Sequence, residues 1–192
     1  MRIFRTVNPT SYPVTLDEIK NHLRLDGFDP ECLMADSDDI YLTSLIESAT
    51  DYCEGYQKLA YLTQTWEMVL EEIPRQITIP KGNLQSITSI TYKLADGTVN
   101  EYMDYDFNLK TGKVFFNEYI SDELYKADPI NITFVCGWTA ADKVPPRIKQ
   151  AIKFLVSHWF EVRTPIDETR TAPKEISFTL SALLDMNKRV NL

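Results

Sequence analysis

PPRIKQAIKFLVSHWFEVR, residues 145–163, is the stretch around which the rest of the chain is arranged. A proline at the first helical position already has a suitable φ and needs no N–H donor, so we expect a helix to begin here. Apolar residues then recur three and four positions apart, which places them on one helical face. They are Ile148, Ala151, Ile152, Leu155, Val156, Trp159 and Val162. We expect this face to lie in the core.

Two further aromatic residues of the stretch, Phe154 and Phe160, fall outside that face. Only a narrow strip remains polar, and it consists of Gln150, Lys153, Ser157 and Glu161. A helix that is apolar over most of its girth is expected to be covered on two sides. Two interpretations stay open: the helix is buried within one domain, or its second side packs against another subunit.

Composition is that of an ordinary globular protein, with 192 residues, 44% hydrophobic and 25% charged. No apolar run is long enough to cross a bilayer, and MRIFRTVNPT lacks the features of a signal peptide, so we expect a cytosolic product without a membrane partner. The three cysteines, Cys32, Cys53 and Cys136, are widely spaced. We expect them to be buried small apolar residues rather than a disulfide framework.

Charge is distributed unevenly along the chain, whose net charge is −8. Residues 1–60 and 61–142 each carry −6, whereas residues 143–192 carry +4. This polarity favours head-to-tail association of copies or docking of the basic end on an acidic partner, although the charges can equally serve only to solvate helices. An acidic surface disfavours nucleic-acid binding through phosphates.

Helical patterns lie near both ends of the chain. Thr15 and Glu18 form a capping box that predicts a helix over Leu16–Leu25. A second apolar stripe predicts a helix from Ser37 or Asp38 to about Lys58, and a third predicts a short helix over Thr179–Arg189. Together with the helix after Pro145, these patterns predict a bundle of about four helices.

The middle of the chain is rich in β-forming residues and turn signals. Strands are predicted at Arg2–Val7, Thr63–Ile73, Ile77–Ile79, Ser86–Leu94, Val99–Met103, Tyr105–Leu109, Lys113–Phe116 and Asn131–Cys136. No helix between them is long enough for a crossover, so the strands are expected to be antiparallel. The prediction is an α+β fold, with residues 1–60 and 143–192 as a discontinuous helical domain and residues 61–142 as an inserted β module.

Signatures of common enzymes are absent from the sequence: there is no Gly-rich nucleotide motif, HExxH, GxSxG or CxxC. His22 and His158 lack a partner at a spacing that would place it on the same helical face, and His158 is interpreted as a core or interface residue. The acidic loop Asp26–Asp39 does not have EF-hand spacing. We therefore expect no catalytic residue, no metal and no cofactor.

Six blocks in a fixed order carry a family resemblance. They are VTLDEIKNHLRLD, DDIYLTSLIESATDYCEGY, LTQTWEMVL, SITSITYKLADGTV, ITFVCGW and VPPRIKQAIKFLVSHWFEVRT. This ordered set, over about residues 12–164, resembles the head-tail connector family of long-tailed bacteriophages and prophages. The tail, Leu183–Arg189, resembles the family only loosely.

The resemblance implies a structural adaptor that is not an enzyme. Such proteins form a ring below the portal after DNA packaging, extend the DNA exit channel and carry the stopper or tail-completion protein. The implied partners are further copies of the chain in a twelve-fold ring, the portal protein and the stopper, with DNA passing through without sequence-specific binding. The implied location is the head-tail junction of the virion, after synthesis in the bacterial cytoplasm.

Interface residues follow from exposure and charge, and they are Phe154, Trp159, Phe160, Arg163, Arg170, Lys174, Lys188 and Arg189. Two alternatives remain: another ring component such as a stopper or tail-completion protein, or a small enzyme whose site involves the β module and His158. A small terminase subunit is disfavoured because the chain has neither a helix-turn-helix nor a basic N-terminal module.

Overall fold

A computed structural model describes residues 1–25, 35–118, 120, 123–162 and 178–186. In these residues the helices are α1 Leu16–Leu23, α2 Ala35–Gln57, α3 Pro146–Glu161 and α4 Phe178–Asp185, with a 3₁₀ turn at Ala141–Lys143. The strands are β1 Arg2–Val7, β2 Gln64–Leu70, β3 Gln76–Thr78, β4 Leu84–Lys93, β5 Val99–Glu101, β6 Tyr105–Asn108, β7 Lys113–Phe116 and β8 Ile130–Cys136. The α+β class is confirmed. The arrangement as one bundle interrupted by a β module stays a prediction.

Helix α1 begins as its sequence indicates. The backbone N–H of Glu18 donates a hydrogen bond of 3.2 Å to the hydroxyl of Thr15, which satisfies one of the free donors of the first turn. The helix ends two residues earlier than predicted, because Arg24 adopts a left-handed conformation with φ of 56° and the chain turns away there.

The strands form two antiparallel sheets. The larger has the order β1-β2-β8-β4-β5, and the smaller has the order β3-β7-β6. The central strand β8 is the last in sequence, and it pairs with β2 on one side and β4 on the other. The chain therefore completes the larger sheet by inserting its final strand between two earlier ones.

Alternation along β8 builds the core of the β unit. Ile130, Ile132, Phe134 and Cys136 are fully buried, while the residues between them are only partly covered. Because successive side chains of a strand point to opposite faces, one face of the larger sheet is the apolar core face. Met68, Leu70, Ile90 and Val114 pack in the same cluster.

The chain divides into two compact units, each described here by itself. One contains residues 1–10 and 58–139, and the other contains residues 11–57 and 140–190 in so far as they are described. The prediction assigned residues 1–60 to the helical domain, but residues 1–10 belong to the β unit. The physical reason is that β1 pairs with β2 and becomes an edge of the larger sheet.

The helical unit has its own apolar interior. Helices α2 and α3 supply most of it, with Leu42, Ile46, Ala49 and Cys53 from the first and Ile148, Ala151, Ile152, Leu155 and Val156 from the second. Ile19 of α1, Leu180 and Leu184 of α4, and Val14 and Val144 outside the helices are also buried. Cys53 and Cys136 are buried free thiols, in agreement with the sequence interpretation, and Cys32 lies outside the described residues.

Candidate interaction surfaces

Helix α3 has a core face that is shorter than predicted. Pro145 precedes the first turn and Pro146 occupies it, so the helix begins where the sequence indicated. The core face ends at Val156: Trp159 is half-buried, and Val162 is 39% exposed because the helix has ended at Glu161. His158 is exposed, which excludes a core position, and its alternative interpretation as an interface residue stays a prediction.

The three predicted aromatic interface residues of α3 lie against two different helices. Phe154 is 39% exposed, and its ring centroid is 6.1 Å from that of His22 on α1. Trp159 meets Tyr52 of α2 edge-on at 6.4 Å, and Phe160 lies 6.2 Å from Tyr41. The structure therefore brings Trp159 and Phe160 together on the α2 side and leaves Phe154 apart from them.

Ion pairs connect α1 to its neighbours. Lys153 Nζ of α3 lies 3.2 Å from Glu18 Oε2, and Lys20 Nζ lies 2.6 Å from Asp39 Oδ1 of α2. Each of these side chains is partly exposed, so each pair contributes at most about 1 kcal/mol. The two ion pairs therefore orient α1 and contribute little to the stability with which it is docked.

The remaining predicted interface residues fall outside the described residues. They are Arg163, Arg170, Lys174, Lys188 and Arg189. Their assignment to an interface stays a prediction.

Helix α2 is acidic over its whole length. The segment contains Asp36, Asp38, Asp39, Glu47, Asp51 and Glu54, and it contains no lysine or arginine. Asp38 and Glu47 are exposed, whereas Glu54 is buried beside Cys53. Burial and the neighbouring Glu54 charge raise the pKa of the Cys53 thiol to about 12, so this thiol stays protonated near neutral pH.

The end of α2 anchors α4 through polar side chains that sequence reasoning missed. The buried Gln57 amide donates to the Leu184 carbonyl at 2.6 Å, and the Tyr56 hydroxyl donates to Asp185 Oδ1 at 2.8 Å. The hydrogen bond to Asp185 raises the pKa of Tyr56. Gln57 follows Ala49 and Cys53 at intervals of four, so helical periodicity was a signal that could have placed it on the core face.

In the β unit, two cations lie near the ring of Trp66. Lys81 Nζ is 4.4 Å from its ring centroid and the Arg5 guanidinium carbon is 5.9 Å away, while the indole N–H donates to Gln64 Oε1 at 3.1 Å. The aromatic face stabilises the charge of Lys81, which is almost completely buried.

The residues that the structure describes show no recognisable group of catalytic or metal-binding side chains. They contain no group of three or more His, Cys, Asp or Glu side chains placed to hold a metal ion. An open depression of about 320 Å³ is lined by Met1, Leu70, Glu71, Glu72 and Pro74. His22 and His158, the candidates for a base, are both exposed on the helical unit.

Over the described residues, no helix combines the length and the apolar character that a membrane span requires.

Comparison with protein families identifies the chain. The family model of the phage gp6-like head-tail connector protein matches residues 13–110, which is half of the 192-residue chain. The chain belongs to the phage gp6-like head-tail connector family. The resemblance inferred from the ordered sequence blocks is thus confirmed, and the chain is a structural connector protein of the phage type.

Solved structures share the fold of this family member over its full length. A chain in the neck of an empty gene transfer agent (GTA) particle, computed with C6 symmetry, matches with a TM-score of 0.78 at 18% identity, covering 100% of this chain and 97% of that one. A chain in the virion of a native GTA particle gives the same values. A chain in the neck of a native GTA particle, computed with C12 symmetry, matches with a TM-score of 0.74 at 16% identity and the same coverage. No curated protein matches the chain.

Proposed function

We propose that this connector protein forms a closed ring below the portal of a phage-type particle, extends the DNA exit channel and joins head to tail. Its partners are other copies of itself in a twelve-fold ring, the portal protein, and a stopper or tail-completion protein. It acts without a cofactor and is not an enzyme. The interface residues on α3 and the basic C-terminal segment belong to this proposal.

One observation carries the proposal: the entire chain, helical and β units together, matches neck chains from particles computed with six-fold and twelve-fold symmetry. A match that covered only one unit would indicate a shared domain, whereas this match covers 100% of the chain. The family model independently covers α1, α2 and most strands of the β unit.

Electrostatics support a channel through which DNA moves. The chain has a net charge of −8, and α2 exposes carboxylates without any lysine or arginine in the helix. A surface of this sign repels phosphates and does not retain DNA. DNA then passes without sequence-specific binding, which suits a conduit.

Helix α3 supports lateral packing of copies. Phe154 on this helix and Val162 just after its end expose apolar surface, although the core face of the helix is already filled. Apolar surface of this kind is typical of positions that a partner covers. We propose Phe154, Trp159 and Phe160 as contacts with a neighbouring subunit or the portal.

Mass measurement tests the ring. Light scattering of the purified full-length chain, alone and mixed with its portal protein, should reveal an assembly of about 266 kDa for twelve 22.2-kDa copies, or twelve copies added to the portal. Negative-stain microscopy should show a ring with a central opening. A monomer at every concentration, with no binding to portal, would contradict the proposal. Binding to tail tube instead of portal would identify a stopper or tail-completion protein.

A further inference from the structure

Exposed apolar side chains of the β unit gather at two free sheet edges. Seven of the thirteen large apolar side chains that are exposed in the described residues lie at β1 or around β6. They are Met1, Phe4 and Val7 at the first edge, and Met103, Phe107, Leu109 and Phe115 at the second. An exposed edge strand with apolar side chains is a template for pairing with another strand.

The first edge is basic. Among the described residues, strand β1 pairs with β2 and forms one end of the larger sheet. Arg2 and Phe4, which is 49% exposed, share one face of the strand, whereas Arg5 lies on the other face near Trp66. Arginine charges and the register shift between Arg5 and Val7 protect this edge from indiscriminate pairing, so a partner strand must bring matching charge.

The second edge carries two carboxylates at its start. Among the described residues, strand β6 forms one end of the smaller sheet, where it pairs with β7. The amide of Asn117 donates to both Asp104 Oδ1 at 3.1 Å and Asp106 Oδ2 at 3.2 Å, so it holds two exposed carboxylates next to each other. Met103 is 75% exposed at the entry to this strand.

We infer that β1 of one copy pairs with β6 of the next copy and so joins neighbouring subunits by a shared sheet. The inference rests on the proposed ring and specifies one of its contacts. Within the described residues, each edge strand has one side without a paired strand, exposed apolar side chains, and a charge opposite to that of the other: Arg2 against Asp104 and Asp106. Complementary charges fix partner and register, while backbone hydrogen bonds and apolar contacts supply affinity.

Charge also disfavours parallel pairing of like edges. A parallel, in-register pair of β1 strands would place Arg2 beside Arg2, and such a pair of β6 strands would place Asp106 beside Asp106, which is unfavourable. The β1–β6 contact is therefore heterologous, and repetition of such a contact closes a ring when its rotation divides the circle. Strand β5, the other end of the larger sheet, has only three residues and one carboxylate, Glu101, so it fits β1 less well.

An edge-blocking pair of variants tests the contact. In the full-length chain, Phe4→Lys should weaken assembly on the portal about tenfold, because lysine removes apolar burial and blunts the edge. The matched control is Val99→Lys, which changes an apolar side chain that is 60% exposed on β5. This control should assemble like the natural chain. Equal loss in both variants, or in Val99→Lys alone, would overturn the β1–β6 assignment.

A charge exchange provides a second test that does not depend on the folding of one variant. Arg2→Glu and Asp106→Lys should each weaken assembly about two- to five-fold at low salt, and the double variant should recover most of the loss. The control replaces the acidic partner with Glu101→Lys in the Arg2→Glu background. Recovery by Glu101→Lys rather than by Asp106→Lys would assign the contact to β5.

Assembly of the natural chain separates this inference from the proposed function. If rings form and all strand variants assemble normally, the β1–β6 contact is wrong and the ring proposal stands. If the natural chain forms no ring with or without portal, both fail. Circular dichroism of each variant identifies loss of folding, and the recovery in the double variant remains decisive in either case.

Discussion

Gly137 and Gly55 are glycines with opposite environments. A Cβ on Gly137 would lie 2.1 Å from the Leu62 carbonyl oxygen, and its φ is +116°, which residues with a side chain rarely adopt. At Gly55, inside α2, a Cβ would meet nothing within 4 Å. Of these two positions, only 137 therefore requires glycine in the folded chain.

Alanine at these two positions should change stability in opposite directions. Gly137→Ala should lower the free energy of unfolding by more than about 3 kcal/mol or prevent folding, because backbone must move. Gly55→Ala should raise it by up to about 1 kcal/mol through helix propensity. Urea unfolding measures both. A loss of stability in Gly55→Ala would mean that α2 needs glycine there for a reason the single chain does not show.

Cys53 should make the free energy of unfolding fall at alkaline pH. Its pKa is raised from 9.0 in the unfolded chain to about 12 in the folded one, chiefly by burial. The folded state thus holds the proton more tightly, so this contribution is complete below pH 9 and is lost as pH rises towards 12, by at most about 1.4 kcal/mol per pH unit. The free energy of unfolding, measured from pH 8 to 11, should decline less steeply with pH in Cys53→Ala than in the natural chain. The slopes of the two curves are compared, not the absolute stabilities. Equal slopes would contradict the prediction.

At the scale of elements, α4 shows how a short helix is held in place. Eight residues are too few for a helix to be stable alone. Leu180 and Leu184 are buried, and the side chains of Tyr56 and Gln57 bond its last turn. Docking on the helical unit, rather than intrinsic propensity, therefore accounts for α4.

Gln57→Ala should weaken the docking of α4 on the helical unit. The change leaves the Leu184 carbonyl without its side-chain donor in a buried position, which costs about 1–3 kcal/mol. Hydrogen exchange of the amides in residues 180–185 should become faster while that of β8 stays unchanged. The control Gln150→Ala, on the half-buried surface of α3, should leave both unchanged. Unaltered protection of α4 in Gln57→Ala would show that its apolar contacts suffice.

At the scale of the whole molecule, charge decides how the chain meets DNA. With a net charge of −8, the chain should bind duplex DNA weakly at 150 mM salt, with a Kd no tighter than about 1 μM, and without preference between two unrelated sequences of equal length. Fluorescence anisotropy of labelled duplexes measures this, and the same titration at low salt serves as the control for weak nonspecific binding. Tight binding that depends on sequence would contradict a passive channel.

Local signals in the sequence were sufficient to determine most elements of this protein. The capping box at Thr15, the prolines before α3 and the alternating pattern of β8 each depend on residues a few positions apart, so they can be recognised without coordinates. The ordered blocks likewise identified the family, which the family model over residues 13–110 confirms.

Only the tertiary structure decided which elements meet, because those contacts join residues far apart in the chain. Nothing local shows that β8 lies between β2 and β4, that β1 joins the larger sheet and takes residues 1–10 out of the helical domain, or that Gln57 reaches Leu184. The same limit explains Val162, whose periodicity placed it in the core although α3 stops just before it. The free edges at β1 and β6 exist only once the sheets have formed, because a strand is an edge only when one of its two sides has no paired strand.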